Sequence, residues 1–159
     1  MKCGKGGYMR KLIVSVLLMT TISLLSGAVV AHAIIASGAS QNSGYICGIN
    51  YSYFSEVEAK SGQKVNAWTV VCSTNATTPV GYVGYRSYMC YPNGNTYGSN
   101  SWYYNPSSRA AWSWFYYGTE DVVMPYGTSW TSWGYARFYD GSSGYYEYRT
   151  SISPYVTVF

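Results

Sequence analysis

The sequence predicts an all-β protein, an antiparallel β-sandwich or small barrel of about seven or eight short strands. Aromatic residues make up 19% of the chain, and every leucine lies within residues 1–33. Aromatic and β-branched side chains suit a pleated, half-buried sheet better than a helix. Clusters of Gly, Pro, Asn and Ser also recur at the spacing of turns between short strands.

The N-terminal residues 1–33 have the layout of a secretory signal peptide. Basic residues precede an apolar run, which ends in the small-residue motif Ala31-His32-Ala33. We expect cleavage after Ala33, with Ala36 as the second choice, and release of the mature protein outside the cell. The alternative is an uncleaved membrane anchor, since about 20 apolar residues can span a bilayer. The Ser and Thr residues within the run favour cleavage.

Removal of the signal peptide changes the charge of the protein. Of 10 Lys and Arg, four precede residue 12, so six remain against 6 acidic residues and the mature net charge is zero. Binding to nucleic acid or to an anionic membrane depends on clustered Lys and Arg. We therefore expect no nucleic-acid partner, and no membrane contact after cleavage. Met1 and Met9 both remain possible start sites, because the chain from Met9 is itself a complete signal peptide.

The mature chain is predicted to contain a leader and one domain. Residues 34–44 are mostly small and polar, which predicts a flexible leader. A single tyrosine-rich sandwich domain is expected over 45–159. Its predicted strands are 45–54, 64–73, 80–91, 96–104, 111–117, 130–139, 144–150 and 155–159.

Two turns are clearly marked within this pattern. Asn93-Gly94 separates two aromatic runs, and Asn-Gly supplies the positive φ angles of a tight hairpin. The Gly- and Ser-rich segment 140–144 predicts a second hairpin. In the run 82–91, alternation places Tyr85 and Tyr88 on opposite faces. Rings on both faces indicate a central strand, or a strand whose outer face binds a ligand.

The cysteines predict one disulfide. Cys3 leaves with the signal peptide, so three cysteines remain in an exported domain. Cys72 and Cys90 end successive predicted strands and are the favoured pair, with Cys47 unpaired, although pairings that include Cys47 stay open. We expect the unpaired thiol to be buried rather than joined to a second copy. No metal site is expected, because the mature chain has neither CxxC spacing nor histidine.

The same lack of histidine argues against most enzyme classes. Ser-His-Asp and Cys-His catalysis are excluded, and neither HExxH nor a P-loop motif occurs, so no cofactor is expected. The remaining enzymatic alternative is a glycosidase that uses paired carboxylates, either Glu56 with Glu58 or Glu120 with Asp121. Solvated surface acids are the simpler explanation of these carboxylates, and we expect no enzyme.

Aromatic side chains are the candidate ligand-binding residues. Flat rings exposed on a sheet stack on sugar rings, whereas in a domain without leucine some of the same rings must fill the core. Trp112 and Trp114 are predicted to alternate on one face. The candidates are Trp102, Trp112, Trp114, Trp130, Trp133, Tyr126 and Tyr135.

Three non-enzymatic functions fit these features. We expect a secreted, extracellular binding protein associated with the cell surface or cell wall, where cell-wall glycan is the partner. The alternatives are a small bacteriocin-like antibacterial protein and a self-assembling extracellular structural subunit, whose partner is its own copies. Low charge and many rings favour such self-association, because little like-charge repulsion opposes contact.

Overall fold

A computed structural model describes residues 33–159, so the predicted signal peptide lies outside the described residues apart from Ala33. This part of the chain folds into twelve β-strands, which confirms the predicted all-β sandwich. Between residues 33 and 159 there is no helix long and apolar enough to cross a membrane. The strands are β1 Ile34–Ser37, β2 Gln41–Ile46, β3 Ile49–Lys60, β4 Lys64–Ser73, β5 Val83–Cys90, β6 Thr96–Ser99, β7 Tyr103–Tyr104, β8 Trp114–Gly118, β9 Val122–Val123, β10 Ser129–Tyr139, β11 Tyr145–Arg149 and β12 Val156–Thr157.

The strands form two antiparallel sheets that pack face to face. The first sheet has the order β1-β3-β4-β8, with β2 also paired to β3 and β9 to β4. The second sheet has the order β11-β10-β5-β6, with β12 also paired to β10 and β7 to β5. Each sheet therefore has two long central strands, and each edge is built from two short strands. Short edge strands oppose edge-to-edge aggregation.

Strand β3 shows how the sequence separates an inner and an outer face. Burial alternates at every position from Ile49 to Lys60, as expected for one buried and one exposed sheet face. The strand runs beyond residue 54, the end predicted from the sequence, and this extension places Glu56 and Glu58 on the outer face. Both acids thereby join the ring of Phe54 on the surface of the first sheet.

Two apolar clusters fill the space between the sheets. One contains Tyr51, Tyr85 and Phe138, whose rings replace the missing leucines. The other contains smaller residues together with Met89 and Trp130. Tyr51 and Phe138 stack with their ring centroids 4.3 Å apart, so the interior of this sandwich is built largely by aromatic packing.

A layer of small polar residues separates the two clusters along every central strand. Thr69 of β4 and Ser87 of β5 bond across the sandwich, with their hydroxyl oxygens 3.0 Å apart. Ser55 of β3 donates to the carbonyl of Ser132 of β10 at 3.2 Å. A Cβ atom at Gly134 would overlap the Thr69 hydroxyl and lie 2.6 Å from the carbonyl oxygen of Arg86. Glycine is therefore required at this position, because a larger residue has no room for its side chain.

The predicted hairpins are confirmed, and further hairpins join β2 to β3 and β3 to β4. Gly94 and Gly141 adopt φ angles of 85° and 89° in the turns β5–β6 and β10–β11. Strands β2 and β3 are joined by Cys47 and Gly48, with φ angles of 50° and 77°. Positive φ at both central residues is the signature of a type I′ turn, which leaves Cys47 exposed at its tip.

The structure differs from the prediction of a flexible leader over 34–44. This segment forms β1 and the start of β2, and both strands pair with β3. Ile34 lies opposite Ala59, and Gln41 lies opposite Tyr53. Because ladder hydrogen bonds join main chains, a polar, small-residue segment pairs readily when a long neighbouring strand offers its edge.

The predicted disulfide between Cys72 and Cys90 is wrong, because Cys47, Cys72 and Cys90 are all free. Cys72 has the strand parity of Trp68 and therefore belongs to the outer side of the first sheet. Cys90 has the parity of Tyr88, on the outer side of the second sheet. Packed sheets lie about 10 Å apart, and a disulfide requires Cα atoms within about 7 Å. The sequence showed that Cys72 and Cys90 end successive strands, but it did not show which sheet each of those strands joins.

Candidate functional site

The outer face of the first sheet carries an open groove with a volume of about 400 Å³. Its floor and walls come from β1, β3, β4 and β8, so four strands position its side chains. These side chains are mostly apolar, with two carboxylates on one side. The groove is lined by Ile35, Phe54, Glu56, Glu58, Trp68, Val70, Trp114 and Tyr116.

The rings of the groove contact one another edge to face. Phe54 and Trp114 have centroids 5.4 Å apart and planes at 75°, and Trp68 and Tyr116 have centroids 5.6 Å apart and planes at 81°. Such contacts fix ring orientation without stacking two flat faces on each other. Trp114 is 45% exposed and Tyr116 is 66% exposed, so flat apolar surface remains open to solvent.

A chain of hydrogen bonds fixes the ring of Trp68. Its indole Nε1 donates to Oδ1 of Asn66 at 2.9 Å, and the Asn66 amide donates to Asp121 at 2.9 Å. Lys60 donates to the same carboxylate oxygen of Asp121 at 2.8 Å. Asp121 therefore holds the Asn66 side chain in place, and Asn66 in turn holds the Trp68 ring in the groove.

Glu56 and Glu58 are held on the same rim of the groove. Ser37 of β1 donates its hydroxyl to Glu56 at 2.7 Å, and Lys60 lies 3.4 Å from a carboxylate oxygen of Glu58. Partial burial alone lowers the pKa of Lys60, but its bonds to Asp121 and Glu58 outweigh this effect and raise that pKa overall. Lys60 thus remains a cation that contacts Glu58 and Asp121.

The arrangement suits a ligand with apolar faces and hydroxyl groups. Open rings stack on the faces of such a ligand, and carboxylate oxygens accept hydrogen bonds from hydroxyls more strongly than neutral acceptors do. The volume lies within the range of about 300–1,000 Å³ that small-ligand sites occupy. The groove is open to solvent, so a ligand longer than the groove can extend beyond it.

The outer face of the second sheet is also rich in rings, but these rings cover one another. Trp133 stacks on Tyr88 with centroids 4.1 Å apart and planes at 7°. The guanidinium of Arg149 lies 4.3 Å from the Trp133 ring, so both faces of this indole are occupied. Arg137 lies 3.8 Å from the ring of Trp102. These rings build the surface and offer little free stacking area.

The seven ring candidates therefore lie in different places. Trp102, Trp133 and Tyr135 come together on the second sheet, where Trp102 and Trp133 each contact Tyr135. Trp114 alone lines the groove. The remaining candidates are Trp112, Trp130 and Tyr126.

Trp112, Trp130 and Tyr126 lie neither in the groove nor among the packed rings of the second sheet. Trp130 is 3% exposed, packs in the second apolar cluster and donates its indole N–H to Thr128. Tyr126 is 75% exposed on a loop. Trp112 precedes β8, with a φ of 63°, so it does not alternate with Trp114 within a strand as expected.

Sequence reasoning missed Phe54, Trp68 and Tyr116 as groove residues. The useful signal was the period of two in residues 54–60, which places one ring and two acids on a single face. Continued across the β3–β4 hairpin, the same register brings Trp68 directly opposite Glu56. The glycosidase candidates Glu120 and Asp121 separate, since Asp121 anchors the network described above.

Within residues 33–159 no group of three or more His, Cys, Asp or Glu side chains is arranged to hold a metal ion. No protein-family model matches the chain, and comparisons with curated proteins and with solved structures found no similar protein. The geometry of the two outer faces is therefore the basis for assigning a function.

Proposed function

We propose that this protein is a secreted, non-enzymatic glycan-binding protein that attaches to cell-wall or surface polysaccharide through the groove of the first sheet. The observation that carries the proposal is the open ring surface of Trp114 and Tyr116 beside the carboxylates of Glu56 and Glu58. Apolar ring faces and directed hydrogen-bond acceptors are the two requirements for holding a sugar.

The rigidity of the groove supports the same proposal. Trp68 is fixed by the bonds through Asn66 and Asp121, and Glu56 is fixed by Ser37. Side chains ordered before binding lose little conformational freedom when the ligand arrives, so weak individual contacts give a usable affinity. An open groove also accepts an internal stretch of a polymer, which is the form in which wall glycans occur.

The N-terminal strand ties the proposal to the expected cleavage site. Ile35 lines the groove and Ser37 holds Glu56, and both belong to β1. Cleavage after Ala33 leaves β1 intact, whereas cleavage after Ala36 removes Ile35. We therefore expect the binding-competent protein to begin at Ile34.

A pull-down on insoluble polysaccharides tests the proposal. The protein produced from its full-length coding sequence is incubated with peptidoglycan, chitin and cellulose, and the bound fraction is compared with that of Trp114→Ala and Tyr126→Ala. We expect retention on at least one polymer, a loss of tenfold or more in apparent affinity for Trp114→Ala, and no change for Tyr126→Ala. Tyr126 is the control because it is an exposed ring outside the groove.

Two results would contradict the proposal. The first is no retention on any of the polymers by the folded protein. The second is equal loss in both variants, which would show that general surface stickiness, rather than the groove, holds the polymer.

A further inference from the structure

The groove of the first sheet is lined by negative charge. Among the described residues that line it, the charged ones are Glu56 and Glu58. Glu56 is held by the neutral hydroxyl of Ser37 and has no ion pair among residues 33–159. Lys64, in the β3–β4 hairpin, is exposed and lies outside the lining. The groove therefore presents carboxylates that its own lining does not neutralise.

Lys60, beside the groove, neutralises this charge only in part. Its Nζ lies 2.8 Å from a carboxylate oxygen of Asp121 and 3.4 Å from one of Glu58. One ammonium group is thus shared between two carboxylates, and Asp121 has the closer contact. Together with Glu56, three acids face one lysine, so the groove and its rim keep an excess of negative charge. Such a site attracts a cationic ligand and repels an anionic one.

The surroundings of Glu56 already accommodate an ammonium group. The Lys60 ammonium lies 5.9 Å from the centroid of the Trp68 ring, within the range of a cation–π contact. Trp68 lies directly opposite Glu56 across β3 and β4, so its ring and this carboxylate are neighbours on one face of the sheet. A ring beside a carboxylate without an ion pair favours an ammonium group of a ligand over a neutral hydroxyl, because both contacts are stronger with a cation.

The register of the sheet separates these acids from the open rings. Glu56 lies opposite Trp68 of β4, which lies opposite Gly118 of β8. Tyr116 is two residues from Gly118, so its Cα atom is two strand spacings across and two residues along from that of Glu56. With about 4.8 Å per strand and about 3.3 Å per residue, this separation is about 12 Å, and that between Glu56 and Trp114 is about 16 Å. A ligand that contacts both the acids and the open rings is therefore elongated.

We infer that the groove binds a polymer of amino sugars that carry free ammonium groups. This inference rests on the glycan-binding function proposed above and names the class of glycan. Ammonium groups pair with Glu56 and Glu58, and sugars further along the chain stack on Trp114 and Tyr116. A small cation reaches the acids but does not extend to the open rings. A polymer of acidic sugars is repelled by the carboxylates.

A matched pair of soluble probes tests the inference. Oligomers of glucosamine and of N-acetylglucosamine, of equal length and linkage, differ only in the ammonium group. Calorimetry measures their affinities at a pH between the pKa values of the carboxyl and amino groups. We expect the glucosamine oligomer to bind at least about tenfold more tightly. The double variant Glu56→Gln/Glu58→Gln should remove this difference, whereas Glu120→Gln, a control at an exposed acid outside the groove, should keep it.

The comparison of the two oligomers on the unaltered protein does not depend on the folding of any variant. Trp114→Ala is expected to weaken the binding of both oligomers, because the ring stacks on either sugar. Equal affinity for the two oligomers, lost in Trp114→Ala, would overturn this inference and leave the proposed glycan binding in place. No binding of either oligomer or of any insoluble polymer would overturn both. An oligolysine of similar length that binds as tightly as the glucosamine oligomer would also overturn the inference, because the groove would then recognise a cationic peptide.

Discussion

The two outer faces of this sandwich are made from the same kinds of residue and present them in opposite ways. On the first sheet, Trp114 and Tyr116 expose flat ring surface beside carboxylates. On the second sheet, Trp133 is enclosed between Tyr88 and Arg149. One face offers its rings to a ligand, and the other uses its rings to hold arginines.

The residue directly opposite a ring on the neighbouring strand determines whether that ring is exposed or covered. Trp114 lies opposite Cys72, a small side chain that leaves the indole uncovered, whereas Trp133 lies opposite Tyr88, which stacks on it. Directly opposed residues in an antiparallel pair are close enough for their side chains to pack. The number of tryptophans in a sequence therefore says less about binding than the identity of each partner across the strand.

The largest expected effect concerns the thiols that lie beneath the two faces. Cys72 and Cys90 are buried, and burial raises the pKa of both thiols, whereas Cys47 is exposed. A thiol-specific reagent should modify Cys47 at least about 100-fold faster than the other two, which become accessible only when the structure opens. Mass spectrometry after digestion assigns the rates. A Cys72–Cys90 disulfide in the native protein would contradict the separation of the two faces.

The scaffold that both faces share is most sensitive at Gly134. The Cβ atom of Gly134→Ala would overlap the Thr69 hydroxyl within the polar layer, so we expect a loss of about 3 kcal/mol in the free energy of unfolding. Gly98→Ala is the control, because a Cβ atom there meets nothing within 4 Å. Urea denaturation measures both variants. Equal stability of the two variants would show that the sheets are not this close at Gly134.

The difference between the faces predicts different stability costs for their tryptophans. Trp133→Ala removes one stacked ring pair, one edge contact with Tyr135 and one cation–π contact, and we expect it to cost about 2 kcal/mol. Trp114→Ala removes one edge contact from a ring that is 45% exposed, and we expect about 1 kcal/mol or less. Chemical denaturation of the pair tests this order. The reverse order would mean that the groove, not the arginine-bearing face, is the closed surface.

The pH dependence of stability distinguishes the buried tyrosines from the rings on the two outer faces. Burial raises the pKa of Tyr51 to about 12 and also raises that of Tyr85. An unfolded tyrosine ionises near pH 10, so the stabilisation from keeping these hydroxyls protonated is complete below about pH 10 and is lost between about pH 10 and 12. Denaturation at several pH values should show this decline, and Tyr51→Phe should reduce it. A decline that Tyr51→Phe leaves unchanged would contradict the assignment to Tyr51.

The sequence predicted the fold class well because composition and turn chemistry are local signals. Asn93-Gly94 marked one hairpin through a glycine that adopts a φ of 85°, and the ring-rich strands had no helical period. Pairing between distant strands is not local. The separation of Cys72 from Cys90 and the pairing of 34–44 with β3 depend on which edges meet in the folded chain.

The candidate site was predicted only in part for the same reason. Trp114 was recognised as a ring suited to sugar stacking, but its groove partners Phe54 and Trp68 come from other strands, and their proximity requires the register of β3, β4 and β8. Trp130 was a candidate as a ring suited to sugar stacking, and it lies in the core because its strand parity turns it inward. The aromatic composition therefore predicted that rings would contact a ligand, but the strand register determined which rings line the groove.

The most direct test of the account compares Trp114→Ala with Trp133→Ala for retention on the polysaccharide that the unaltered protein binds, under conditions where both variants are folded. Neutral polymers such as chitin and cellulose are used first, because they carry no charge that the arginines of the second sheet could bind. The account predicts that Trp114→Ala loses retention, while Trp133→Ala keeps it despite its lower stability. Retention by Trp114→Ala together with its loss in Trp133→Ala would place the glycan site on the second sheet and contradict the account.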